Sequence, residues 1–197
     1  MKIPLLALLA STALASPAAA QSAGDITLGF GLGVVLLKSD NGTLAGAAAT
    51  VNDSTRPTIT FEYFLRDNLG LEVLGALPFK HSVYLNGAYA GETRQLPPTL
   101  SLNYHIPTGG KFMPFVGLRV NYTKFFESSS PLGDLKIAES FGVAAHLGVD
   151  YAVSDKAALR FDLRYDKIES DVSLNGAQIG KVEIDPLVTD ISYILKL

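Results

Sequence analysis

From Ile26 to the end of the chain, apolar residues recur at every second position, and the opposite parity collects the charges. A period of two is the signature of β-strands with two unlike faces, and helical spacing is absent. Eight segments carry it: Ile26 to Leu37, Pro57 to Leu65, Leu69 to Phe79, Leu96 to Ile106, Phe112 to Phe125, Ser140 to Val153, Ala157 to Ile168 and Val182 to Leu197. Most match the roughly 9–11 residues of a tilted membrane-crossing strand.

Sorting by parity puts Phe30, Phe61, Val73, Phe79, Leu102, Leu118, Leu147 and Phe161 on one face with similar neighbours. The other face carries Glu62, Glu72, His105, Arg119, His146, Asp150, Arg160, Asp162, Arg164 and Asp166. Up to Tyr165 no charge strays onto the apolar face of these segments. A charge facing mid-bilayer lipid costs ~2–4 kcal/mol in a barrel, so a membrane enforces this segregation. Periodicity alone does not choose, because a soluble lipocalin-like barrel alternates in the same way with its apolar side chains inside.

Three features favour the membrane. Connections alternate between short (Arg66 to Asn68, Pro107 to Lys111, Ser154 to Lys156) and long (Lys38 to Arg56, Lys80 to Gln95, Phe126 to Glu139, Glu169 to Lys181). Outer-membrane barrels have short periplasmic turns and longer extracellular loops. Tyr63, Tyr104, Tyr151 and Tyr193 fall at one end of the apolar face and Phe79, Tyr122 and Tyr165 at the other, as two aromatic girdles would. The last strand runs to the final residue, with Ile191, Tyr193, Leu195 and Leu197 on one parity. Val182 and Ile184 are outward on even numbers and Ile191 to Leu197 on odd ones, which predicts a β-bulge near Asp185-Pro186.

The first 20 residues read as a cleavable signal peptide: Lys2, an apolar run from Ile3 to Ala15, and Ala18-x-Ala20 before Gln21. Residues 21–197 are then one domain, an all-β, eight-stranded antiparallel transmembrane β-barrel. Without Lys2, 15 basic residues stand against 19 acidic ones, a formal charge of −4 with no patch suited to nucleic acid. The absence of cysteine removes disulfides, thiolate catalysis and cysteine-type zinc sites. No cofactor and no metal is expected.

The run RPTITFEYFLRDNLGLEVLGALPFKHSV (Arg56 to Val83), with LPPTLSLNYHI, PFVGLRVNYTKFF, FGVAAHLGVDY and VEIDPLV (Val182 to Val188), resembles the OmpW family in order and spacing. The resemblance implies an eight-stranded outer-membrane barrel carrying small hydrophobic molecules through a pocket that opens sideways into the bilayer. It also implies as partners outer-membrane lipid and lipopolysaccharide, small hydrophobic solutes, and the barrel assembly machinery of a Gram-negative cell. Two departures stand out. Such barrels usually end in an aromatic residue and this one ends in Leu197, and without tryptophan any aromatic gate is Phe or Tyr.

Two groups of inward residues are candidates for the site. Glu62, Glu72, Arg119, Asp150, Arg160, Asp162, Arg164 and Asp190 are expected to form a charged plug in the periplasmic half, with Arg119 and Arg160 each holding a carboxylate partner. Such a cluster serves equally as simple filling for a narrow lumen. Leu74, Ala76, Pro78, Pro97, Thr99 and Phe125 lie in the less charged extracellular half, where an apolar guest would sit. Pro78, Pro97 and Pro98 have no N–H for the ladder, so strands three and four are expected to part there and give a lateral exit.

Other constellations yield bland readings. His81, His105 and His146 sit on separate segments and read as structural or lumen-filling rather than metal-binding. Gly29, Gly31 and Gly33 are followed by no helix, as a dinucleotide loop would require, and are read as room for bulky lumen residues. His81 and Ser82 point oppositely on a strand, so no nucleophile–base pair emerges and no enzyme activity is expected. The alternatives to transport are a structural, adhesion or stress-response barrel and, with less support, a barrel enzyme acting on lipids.

Overall fold

The computed structural model describes residues 21–197, and the signal-peptide reading falls outside them. Fifteen strands follow one another: β1 (Ile26–Leu36), β2 (Thr43–Leu44), β3 (Ala47–Val51), β4 (Ser54–Arg66), β5 (Leu69–Ala76), β6 (Phe79–Leu85), β7 (Ala88–Leu96), β8 (Thr99–His105), β9 (Phe112–Ser129), β10 (Leu135–Ile137), β11 (Ser140–Ser154), β12 (Ala157–Asp166), β13 (Glu169–Leu174), β14 (Ala177–Glu183) and β15 (Leu187–Lys196).

Eight of them close a ring in the order β1, β4, β5, β8, β9, β11, β12, β15 and back to β1, every neighbour antiparallel. Closure pairs each wall strand on both sides, which is the condition for placing sheet backbone in hydrocarbon, except above the Leu74–Thr99 rung where β5 and β8 part. The alternation decides which way each side chain faces, and the outcome is inverted relative to a soluble barrel. Leu118 is 73% exposed and Phe141 72%, while Glu62 and Arg160 are each 1% exposed. Apolar outside and charged inside is a membrane barrel, so the lipocalin-like alternative falls.

Gly29 and Gly31 give β1 its close fit. A Cβ on Gly29 would run into the side chains of Thr60 and Ile194, and one on Gly31 into Ser192.

Above the wall the chain departs from expectation, because the long connections are themselves sheet. The upper part of β9 leaves the ring and pairs with β7, and the sheet continues through β6, β3, β2, β14 and β13 to β10. Asn86-Gly87 and Asn175-Gly176, all at positive φ, turn the β6–β7 and β13–β14 hairpins in the manner of tight Asn-Gly turns. The curled sheet encloses its own apolar core of Leu44, Ala49, Phe125, Ile168, Val172, Val182 and Ile184. Apart from Ala49, each of these side chains contributes ~1.5–3 kcal/mol when fully buried. Asn41, fully buried, ties the layers together: its amide nitrogen donates to the Glu183 carbonyl at 3.0 Å and its side-chain oxygen accepts from the Val51 N–H at 3.0 Å. We call this layer the hood.

Two expectations are corrected here. The segment Leu69 to Phe79 is not one strand: β5 ends at Ala76, Leu77-Pro78 interrupts it, and Phe79 restarts as β6 with its side chain turned inward and 3% exposed. The segment Val182 to Leu197 is two strands rather than one bulged strand. Asp185 adopts φ 33° and its carboxylate accepts the Ile168 N–H at 3.1 Å, while Pro186 has no N–H to continue a ladder. Val182 and Ile184 therefore face the hood core instead of lipid.

Candidate functional site: the lumen

The inward side of β9 samples the lumen from bottom to top: Phe115, Gly117, Arg119, Asn121 and Thr123, then Phe125 inside the hood. Two environments succeed each other along it.

The lower one is built around Arg160. Its Nε and Nη2 donate to the two carboxylate oxygens of Asp150 at 2.7 and 2.9 Å, Nη1 donates to Glu72 at 2.6 Å, and Nη2 also reaches Glu62 at 3.2 Å. The guanidinium lies 4.5 Å from the centre of the Phe115 ring. Glu62 in turn accepts from Asn103 at 3.0 Å and meets His105 Nε2 at 2.9 Å. His146 sits between Asn103 Oδ1 (2.7 Å) and Asp162 (3.2 Å), and Arg164 Nε donates to Asp162 at 2.7 Å. Phe64 and Phe115 flank His105 with ring centres 5.2 Å away on either side. A network on five strands thus fills the cross-section with charges that are all buried and largely satisfied, a geometry in which each partner's desolvation is offset only by the others.

Six of the eight residues expected in the charged cluster are joined in this network: Glu62, Glu72, Asp150, Arg160, Asp162 and Arg164. Asp190 stands beside it, accepting from Thr58 Oγ1 at 2.6 Å and from the Ser192 hydroxyl. Arg119 departs from expectation, since it makes no ion pair among the described residues and its Nε and Nη1 are buried without a partner. The register explains this. Arg119 lies opposite Ser101 on β8 and Ala144 on β11, so neither flanking strand offers a carboxylate at its height. Asn103, Phe64 and Phe115 join the site without a charge to mark them in the sequence, although each sits on inward parity; an aromatic on the polar face of a strand is the signal that marks the latter two.

The upper environment is a small cavity of about 40 Å³ bounded by Val35, Leu74, Phe79, Pro97 and Val188 on its apolar side and by Arg119, Asn121, Arg164 and Asp166 on its polar side. Of the six residues expected to hold a guest, Leu74, Pro97 and Thr99 line it. Ala76 packs against the Val35–Phe79–Val188 cluster, Phe125 belongs to the hood core, and the Pro78 carbonyl accepts from Arg56 Nε at 2.9 Å. Leu37 packs against both apolar clusters, so the hood core and the apolar side of the upper lumen are in contact. At the wall of this chamber the β5–β8 ladder stops at Leu74–Thr99, and Gly75 to Pro78 and Leu96 to Pro98 run on unpaired with each other.

The remaining candidates have plain structural places. Tyr63, Tyr104, Tyr151, Tyr193, Tyr122 and Tyr165 all face outward from the barrel. His81 is buried, its Nδ1 on the Asn52 carbonyl at 2.8 Å and its Nε2 on Gln95 at 3.0 Å, so it is not paired with Ser82. Burial holds its pKa below the ordinary imidazole value.

The sequence profile of the OmpW family matches residues 23–196. Outer membrane protein W of Vibrio cholerae is 33% identical over 208 residues, covering 95% of this chain and 96% of that protein. The crystal structure of OprG from Pseudomonas aeruginosa superposes with a TM-score of 0.79 at 33% identity, covering 90% of this chain and 98% of that one. A dibenzothiophene metabolism operon protein, PahQ of Pseudomonas aeruginosa, is 30% identical over 155 residues, 75% of this chain and 74% of that protein.

Proposed function

Because this chain belongs to the OmpW family of outer-membrane proteins, we propose that its barrel gives small hydrophobic molecules a passive route from the cell exterior into the outer membrane, through the upper chamber and sideways between β5 and β8. The observation that carries this reading is a coincidence of two features at one height: Leu74, Pro97 and Thr99 line the cavity on the side of β5 and β8, and the β5–β8 ladder ends at the Leu74–Thr99 pair. The prolines cannot extend that ladder. An apolar solute gains nothing from continuing into the charged floor, whereas a gap in the wall delivers it into hydrocarbon at ~25 cal/mol for each Å² of apolar surface removed from water. The relative placed by its name in a dibenzothiophene metabolism operon is consistent with an apolar cargo. The floor serves in this reading to block water and ions, lipopolysaccharide surrounds the upper wall, and the assembly machinery inserts the barrel.

The test is a reversible cross-link. Cysteines at Ala76 and Pro97, opposite each other if the β5–β8 register is extended, should slow uptake of a small alkane or arene several-fold when oxidised, in cells dependent on this protein, and reduction should restore it. Unchanged uptake through a folded, cross-linked barrel would place the exit elsewhere or remove transport from its tasks. Restoring a ladder with Pro78→Val and Pro97→Thr should slow uptake less.

A further inference from the structure

Resting on the reading of the upper chamber as the passage, we propose that Arg119 is a binding residue for the carboxylate of amphiphilic solutes, so that the cargo class includes small fatty or aromatic monocarboxylates as well as plain hydrocarbons. Arg119 is 4% exposed, borders the cavity, and keeps two guanidinium nitrogens buried without a hydrogen-bond partner. The side chain two residues along the same face, Asn121, has both amide atoms buried and unpartnered. Leaving a buried donor unmade costs ~1–3 kcal/mol, and more for a charged group, so an arginine held this way in the wall of a cavity is a site that a ligand completes.

The neighbouring charges show why Arg119 rather than Arg164 is the receptive one. Arg164 lines the same cavity, but its Nε donates to Asp162 at 2.7 Å and its Nη2, although it makes no hydrogen bond of its own, lies 2.6 Å from the same carboxylate, which already balances its charge. Asp166 also borders the cavity with its Oδ1 buried and unpartnered, and among the described residues it forms no ion pair with Arg119; it opposes an incoming anion, so the guest's carboxylate seats on the Arg119–Asn121 side. Asn121 pairs in register with Thr99, the last rung of the β5–β8 ladder. The cavity of about 40 Å³ takes the head group, so a carboxylate on Arg119 and Asn121 leaves its tail to run out past Leu74 and Pro97 into the gap where the β5–β8 ladder ends. Charge-assisted hydrogen bonds to a carboxylate are about twice as strong as neutral ones, which favours an ionised acid over an ester or alcohol of equal length.

The experiment uses the full mature barrel in lipid nanodiscs at pH 7, with octanoate and n-octane as probes and the backbone amide resonances of Leu74, Thr99 and Asn121 as readout. Octanoate is expected to shift these resonances with at least tenfold tighter apparent Kd than octane. Arg119→Met should abolish that preference, Arg119→Lys should keep part of it, and Asp166→Asn should strengthen octanoate binding several-fold. Heat-modifiable migration on gels checks that each variant is folded. Equal affinity for the two probes, or a preference that survives Arg119→Met, overturns the proposal while leaving the hydrocarbon passage standing. If neither probe reaches the chamber, the passage falls too and takes this inference with it.

Discussion

Arg160 and Arg119 are buried arginines of one lumen, on inward faces of nearby strands, and their surroundings are opposite. Arg160 is held by three carboxylates and an aromatic face; Arg119 touches none and borders a cavity. The contrast separates two kinds of buried charge. In the floor each group is the solvation of another, so the assembly is rigid and offers a solute nothing to bind. In the chamber polar groups are left incomplete beside apolar walls, which suits a place that other molecules occupy in turn.

Removing each arginine in turn and measuring stability should give the largest difference between the two environments. Arg160→Ala leaves Asp150, Glu72 and Glu62 without their shared cation, and it should cost about 3–5 kcal/mol in denaturant unfolding from lipid vesicles. The same variant should raise planar-bilayer conductance, since the cross-section loses its central side chain. Conductance unchanged in a folded Arg160→Ala barrel would refute the plug. Arg119→Met should behave in the other direction, within about 1 kcal/mol of the parent or more stable, because it removes a desolvated charge that has no partner to strand. A loss as large as that of Arg160→Ala would show the two environments to be alike.

The smallest expected effect lies at the roof of the chamber. His81 bonds Gln95, which lines the chamber, and Arg56 and Asp53 are the charges that act on it. Burial is the largest cause lowering its pKa, so the folded roof keeps it neutral while an opened roof lets it take a proton below its ordinary value of about 6.5. The unfolded form then binds more protons, and stability is present above that pH and lost as pH falls towards the depressed folded value. Amide exchange at Asn52 and Ser82 should accelerate between pH 7 and 5 relative to the barrel strands, after correction for intrinsic rates. Parallel behaviour of roof and barrel would contradict this.

How much of this was legible in the sequence follows from what parity encodes. It reports which side chains share a face, so the eight wall strands, the outward tyrosines and most of the charged floor could be read. It says nothing about what lies against that face. Val182 and Ile184 alternate as lipid-facing residues do because the hood strands are also half-buried, against protein rather than hydrocarbon. Partnering is equally invisible, since it depends on the register between strands; that is why Arg119 and Arg160 looked equivalent along their own segments. Turn chemistry carries a further signal. Asn86-Gly87 and Asn175-Gly176, flanked by alternating residues, mark hairpins inside segments read as long loops.

The hood has a consequence for how such a protein can change over generations. Surface connections of a barrel ordinarily diversify independently, because each tolerates insertions without disturbing the wall. Here segments from all four long connections share one sheet and one apolar core, with Asn41 joining the first to the last. An insertion in one would displace residues packed from the other three. The hood is therefore hindered in altering its outline one piece at a time, and variation should collect at the hairpin tips, such as Asn86-Gly87, where the chain leaves the core.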